Sequence, residues 1–181
     1  MKKIIFILII SMLYVACSSN PSSEAKTGDS TSTSRASEPA LTMPYKASYS
    51  SDISVGKQAD ALTVLNSYKA WETGDMAAFA NTLSDSVNFN FSDGSKFAGT
   101  KDSMMKMASK YRDSISSIKI DIDVWLPVHS NDKNEDAVLV WYKEIDTYKS
   151  GKVDSAYYND INGIKDGKIN FVESMAMKYK K

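Results

Sequence analysis

Ile118-Lys119-Ile120-Asp121-Ile122-Asp123-Val124-Trp125-Leu126-Pro127 is the most regular stretch of the chain. Ile118, Ile120, Ile122, Val124 and Leu126 alternate with Lys119, Asp121, Asp123 and Trp125. A period of two places the first set on one face and the second on the other, so the stretch predicts a strand with one buried face. Pro127 is expected to end it. Trp125 lies opposite the isoleucines and is expected to face out of the sheet, where a large exposed ring would suit a partner.

Downstream, the polar stretch Ser130 to Asp136 reads as a loop. Ala137 to Lys149 then reads as a long strand, Val153 to Lys165 as its partner, and Ile169 to Lys178 as the last strand. Ser150-Gly151 and Asp166-Gly167 are tight turns between them, which only antiparallel neighbours can use. Upstream the period changes. Leu62, Leu65, Tyr68 and Trp71 recur at helical spacing, with Ala61 and Val64 widening the stripe. Gly74 suits the left-handed residue that ends a helix. Asp75 and Thr100 can cap two further helices, with Val87, Phe89 and Phe91 in a strand between them and Asp93-Gly94 as its turn. Helices gathered first and a meander afterwards make an α+β domain.

The N-terminus reads differently. Lys2 and Lys3 precede the apolar run Ile4 to Ala16, broken only by Ser11. A run of roughly 13 residues is short for a bilayer span but right for the core of a signal peptide. It ends in Val15-Ala16-Cys17, with Cys17 the only cysteine. This resembles the lipobox of bacterial lipoproteins, although Tyr14 stands where leucine is usual. The resemblance implies cleavage after residue 16 and acyl chains, palmitate among them, on Cys17. Ser18 after it implies the outer membrane of a Gram-negative cell. Residues 17–56 are rich in Ser and Thr and poor in large apolar groups, so they read as a disordered tether. About 40 such residues reach roughly 35 Å. The folded domain is then expected over residues 57–181.

Lys+Arg and Asp+Glu are 22 each, for a net charge of zero. That argues against nucleic acid, whose recognition needs a basic surface. With 24% charged and 43% hydrophobic residues, the composition is that of a globular protein. One cysteine excludes an internal disulfide, so the core alone must hold the domain.

Two segments carry a family resemblance. Leu65-Asn66-Ser67-Tyr68-Lys69-Ala70-Trp71-Glu72-Thr73-Gly74-Asp75-Met76, followed by Phe79 and Leu83-Ser84-Asp85-Ser86-Val87, resembles the opening of nuclear-transport-factor-two-like domains. Asp160-Ile161-Asn162-Gly163-Ile164-Lys165-Asp166-Gly167-Lys168-Ile169 resembles a later strand and turn. The SnoaL-like cyclases and ketosteroid isomerases belong to that group. The resemblance implies a cone-shaped, curved antiparallel β-sheet wrapped around the N-terminal helices, with one end open to a pocket. It also implies a homodimer through the outer sheet face. By the same resemblance, Asp160 matches a protonated acid of the isomerases. Tyr68 lies one residue from their oxyanion donor, and apolar Phe91 stands where their aspartate base belongs.

Asp160 is therefore the first candidate ligand-binding residue, with Tyr158, Tyr68, Trp71, Phe91 and Tyr142 as the aromatic wall of a pocket. His129 has no second ligand at metal spacing. Asp132, Asn134 and Asp136 imitate the start of a calcium loop, but Ala137 replaces its glycine and Lys143 its closing glutamate. No nucleophile triad and no phosphate loop is readable, so neither metal nor cofactor is expected. The expectation is a lipid-anchored module that binds a small apolar or amphipathic ligand. The alternatives are an enzyme with Asp160 as acid, or a docking domain that uses the sheet face.

Overall fold

The computed structural model describes residues 42–178, and the signal peptide, Cys17 and the tether as far as residue 41 lie outside them. Within 43–178 the order is β1 (Ile53–Val55), α1 (Gln58–Thr73), α2 (Met76–Thr82), β2 (Leu83–Asn90), β3 (Lys96–Thr100), α3 (Lys101–Arg112), β4 (Ile115–Ser130), β5 (Glu135–Tyr148), β6 (Val153–Lys165) and β7 (Lys168–Lys178). The strands form one sheet in the order β1-β4-β5-β6-β7-β2-β3. All neighbours are antiparallel except β2 and β7, which run parallel. The architecture is the α+β cone.

The helix boundaries follow their caps. Gly74 has φ 76° and its N–H returns to the Trp71 carbonyl, closing α1. The Asp75 carboxylate accepts the Ala78 N–H at 2.9 Å, and Thr100 Oγ1 accepts that of Ser103 at 3.3 Å. The core stripe of α1 is shifted from the expected one. Ala61, Val64, Ser67 and Ala70 are buried, whereas Leu62 is 61% exposed. Small residues face the sheet and let the helix approach it, while Tyr68 and Trp71 reach sideways. Val64, Leu83, Val87, Val138, Val140 and Ile169 are the fully enclosed centre.

Three expectations are corrected. The folded part begins before residue 57: β1 pairs with β4 at Ile53–Ser130, and Asn131 N–H donates to the Asp52 carbonyl at 2.9 Å. Pro127 does not end its strand. Its carbonyl accepts from Gly56 N–H at 2.9 Å, so its nitrogen also faces the short β1 rather than β5, and no ladder bond to β5 is lost. Trp125 does not face outward. The pairing shifts between Ile122–Tyr142 and Val124–Trp141, a bulge at Asp123 that reverses the alternation. Trp125 therefore pairs with buried Val140 and shares the isoleucine face, at 46% exposure.

Candidate functional site

Register builds the site. On β5, Val138, Val140, Tyr142, Glu144 and Asp146 point to the helix side. Asn162, Asp160, Tyr158 and Ala156 of β6 lie opposite the first four. One row of side chains across two central strands thus passes from apolar to acidic, and α1 lays Tyr68 and Trp71 over it.

Asp160 is at the centre, 4% exposed. Its Oδ2 accepts two phenol hydrogens, from Tyr68 at 2.8 Å and Tyr142 at 2.9 Å. Asn162 Nδ2 donates to Tyr68 Oη and to the Val138 carbonyl, both at 3.2 Å, and so fixes the Tyr68 hydroxyl. Among the described residues Asp160 Oδ1 is buried with no hydrogen bond of ordinary geometry, although the Ser174 hydroxyl opposite it on β7 is near enough to favour the ionised carboxyl. Burial pushes the Asp160 pKa up, against the opposing pull of Ser174, Tyr68 and Tyr142. Desolvation, with the Asp160 charge second, holds the phenols of Tyr68 and Tyr142 well above their ordinary range.

The rings gather in three groups. Tyr142 lies 4.9 Å from Tyr68 and stacks on Tyr158 at 5.2 Å. Trp71 stacks on Tyr111 at 6.1 Å and meets Phe79 at 5.6 Å; Phe89 and Phe91 are 6.0 Å apart. Together they line a cavity of about 440 Å³, with Asp160, Glu144 and Asn162 on its wall. That is the size and character of a small-molecule site. All six residues expected to bind ligand, Asp160, Tyr158, Trp71, Tyr68, Phe91 and Tyr142, line it.

Sequence reading missed Glu144. Burial, with the charges of Asp146 and Asp160 behind it, pushes its pKa up to about 8. Its neighbour Asp146 is also raised, by burial first, and accepts from Tyr111 Oη at 3.3 Å. The signal was present: carrying the phase Val138, Val140, Tyr142 forward in steps of two puts Glu144 and then Asp146 on the inner face.

His129 is elsewhere. Its Nδ1 lies 2.8 Å from Asp136, which also takes Lys57 at 2.7 Å. Asp132 accepts from Ser50 and Ser130. Among the described residues no group of three or more His, Cys, Asp or Glu stands together to hold a metal ion.

An α+β cone closed over a buried acid and an aromatic wall defines a pocketed cone protein. No family model and no curated protein matches the sequence at a significant level. Solved structures do match by shape. An LEH-like epoxide hydrolase from M. tuberculosis superposes with a TM-score of 0.56 at 12% identity, over 66% of this chain and 84% of that one. A nuclear-transport-factor-two-like protein from Anabaena variabilis gives 0.55 at 15%, over 67% and 89%. A protein from Kribbella flavida, provisionally named a ketosteroid isomerase, gives 0.53 at 9%, over 70% and 84%. The fold is the nuclear-transport-factor-two-like cone.

Proposed function

We propose that the domain is a binding module whose cavity takes a small apolar or amphipathic ligand with its polar end against Asp160. We propose further that acyl chains on Cys17 hold the chain on the cell envelope, at the outer membrane of a Gram-negative bacterium. One observation carries the binding role: a deeply buried carboxyl oxygen without a hydrogen bond of ordinary geometry among the described residues, on the wall of a cavity lined largely by aromatic and aliphatic side chains. Left empty, such a group costs stability; a ligand donor would satisfy it. Native mass spectrometry of the full-length chain should show a retained small molecule, and Asp160→Asn should lose it while keeping the wild-type circular dichroism. A chain that carries nothing from its host, and takes up nothing from a lipophilic small-molecule library, would refute this reading.

Catalysis is favoured by Glu144. It places a second carboxyl in the same cavity and supplies the proton acceptor that Phe91 does not. Two buried carboxyls in one cavity, both with raised pKa values, are equipment that proton transfer can use. Deuterium exchange from solvent into a ketone probe such as cyclohexanone, abolished in Glu144→Gln, would support this; exchange at the uncatalysed rate would exclude it for that class.

The outer face of the sheet exposes Val124, Leu126, Met175 and Met177. A second copy of the chain is the proposed occupant, since exposed apolar groups gathered on one sheet face mark an interface. Sedimentation equilibrium should give a dimer that Leu126→Lys reduces to a monomer.

A further inference from the structure

We infer that the polar end of the ligand is a cation, an alkylammonium or quaternary ammonium group, seated at Asp160 and Glu144 among the rings of Tyr68, Tyr142 and Tyr158. This rests on the binding role proposed above and narrows it to one ligand class.

The sign of the cavity is the first reason. Its ionisable lining groups are the carboxyls of Asp93, Glu144 and Asp160 and the phenols of Tyr68, Tyr111, Tyr142 and Tyr158; among the described residues no Lys, Arg or His lines it. An anionic ligand would meet repulsion and no counter-charge.

The second reason is the use of the donors. The two phenols and the amide nearest Asp160 are already engaged with one another and with its carboxyl. The hydroxyls of Tyr68 and Tyr142 both donate to Asp160 Oδ2, and the Asn162 amide gives its hydrogens to Tyr68 Oη and the Val138 carbonyl. Beside these engaged groups, Asp160 Oδ1, on a side chain 4% exposed, is left without a hydrogen bond of ordinary geometry among the described residues. Two hydroxyls converging on one carboxyl oxygen favour the ionised form, while burial, the larger effect, holds the empty site toward the neutral one. A ligand that brings positive charge completes it.

The third reason is the wall. Rings of Tyr and Trp attract a desolvated cation through their π electrons, and cages of this composition are how quaternary ammonium groups are held. Tyr142 packs against both Tyr68 and Tyr158 beside the two carboxyls, and Trp71 lines the same cavity.

Proton exchange gives the inference a signature. Glu144 faces Asp146 on its own strand, Asp160 and Tyr158 on β6, and Ile120 on β4. Asp154 acts on Asp146 from β6, and Tyr111 and Arg112 act on it from α3. Arg112 donates to the carbonyls of Trp71, Glu72 and Ile115, outside the cavity lining. A cation entering this acidic row displaces a proton. Affinity for a permanently charged ligand therefore rises with pH through about 8, where Glu144 titrates.

The test is calorimetry of the full-length chain with octyltrimethylammonium, 1-octanol and octanoate, at pH values of about 6 and about 9. The cation should bind at least about tenfold tighter than 1-octanol at the higher pH and lose most of that preference at the lower. Glu144→Gln should flatten the pH dependence and Asp160→Asn should remove the preference for the cation over 1-octanol. Should Asp160→Asn fail to fold, Glu144→Gln alone decides. If 1-octanol binds as well as the cation, or octanoate binds best, the cation inference is wrong while the apolar cavity stands. If none of the three binds, the binding role and this inference fall together.

Discussion

Glu144 has a direction of pH dependence built in. Its folded pKa is pushed up to about 8 from an ordinary 4.5. Above the unfolded value the unfolded chain ionises this carboxyl and the folded chain resists, so its contribution to stability is fullest below about pH 4 and is lost as pH rises toward 8. Glu144→Gln removes the titration and should stabilise the empty protein at neutral pH. Each tenfold change in an ionisation equilibrium is worth about 1.4 kcal/mol, and partial solvent access lowers the total to the order of 2 kcal/mol. Denaturation of both chains across pH 4–9 checks this: the curves should meet at the acid end and separate toward neutrality. Parallel curves would mean that Glu144 titrates like a free carboxyl. Asp160, Tyr68, Tyr142 and Tyr158 were legible as a group because strand and helix periods place them on facing surfaces. Glu144 was not, because an acid in an alternating run reads as the solvent side until the phase is carried through from Val138.

The strands show where composition misleads. Ser50-Ser51-Asp52-Ile53-Ser54-Val55 looks like more of the tether, yet β1 forms there because β4 offers a free edge and a short segment suffices to cover it. Side-chain bonds add to it, with Tyr49 donating to Glu135 and Ser54 to Asn131. No local pattern announces a three-residue strand whose partner lies some 75 positions away. The long strands β4 to β7 were legible because each repeats its alternation many times; the bulge at Asp123 was not, since one inserted residue leaves the apolar pattern intact while reversing which face it serves. Removing residues 1–41 should therefore leave the melting temperature unchanged. Removing 1–56 should cost about 2 kcal/mol, from the lost backbone and side-chain bonds, and lower the melting temperature by several degrees. Equal melting of the two truncations would show that β1 adds nothing to the fold.

At the scale of the whole chain, the cavity and the proposed anchor are separable by mutation. Lys2 and Lys3 followed by Ile4 to Ala16 form a segment too short to span a bilayer as a helix, which takes about 20 apolar residues. Cleavage before Cys17 would remove even that, so the proposed membrane residence would rest on acyl chains. One chain holds a protein only marginally, whereas two or more hold it stably, which is what modification of a lipobox cysteine supplies. Cys17 is the single cysteine of the protein, so one substitution tests the anchor without touching a disulfide or the described domain. Cys17→Ser should abolish incorporation of radiolabelled palmitate and move the protein from the detergent-rich phase to the aqueous phase in Triton X-114 partition. The variant should also retain the uncleaved or differently cleaved N-terminus, visible as a change in mass. Its folded domain should keep the wild-type circular dichroism and the wild-type response to octyltrimethylammonium, because nothing in the cavity depends on the anchor. If the substituted chain still takes up palmitate and still partitions with detergent, Cys17 is not the lipid site, and the proposed address at the outer membrane fails with it.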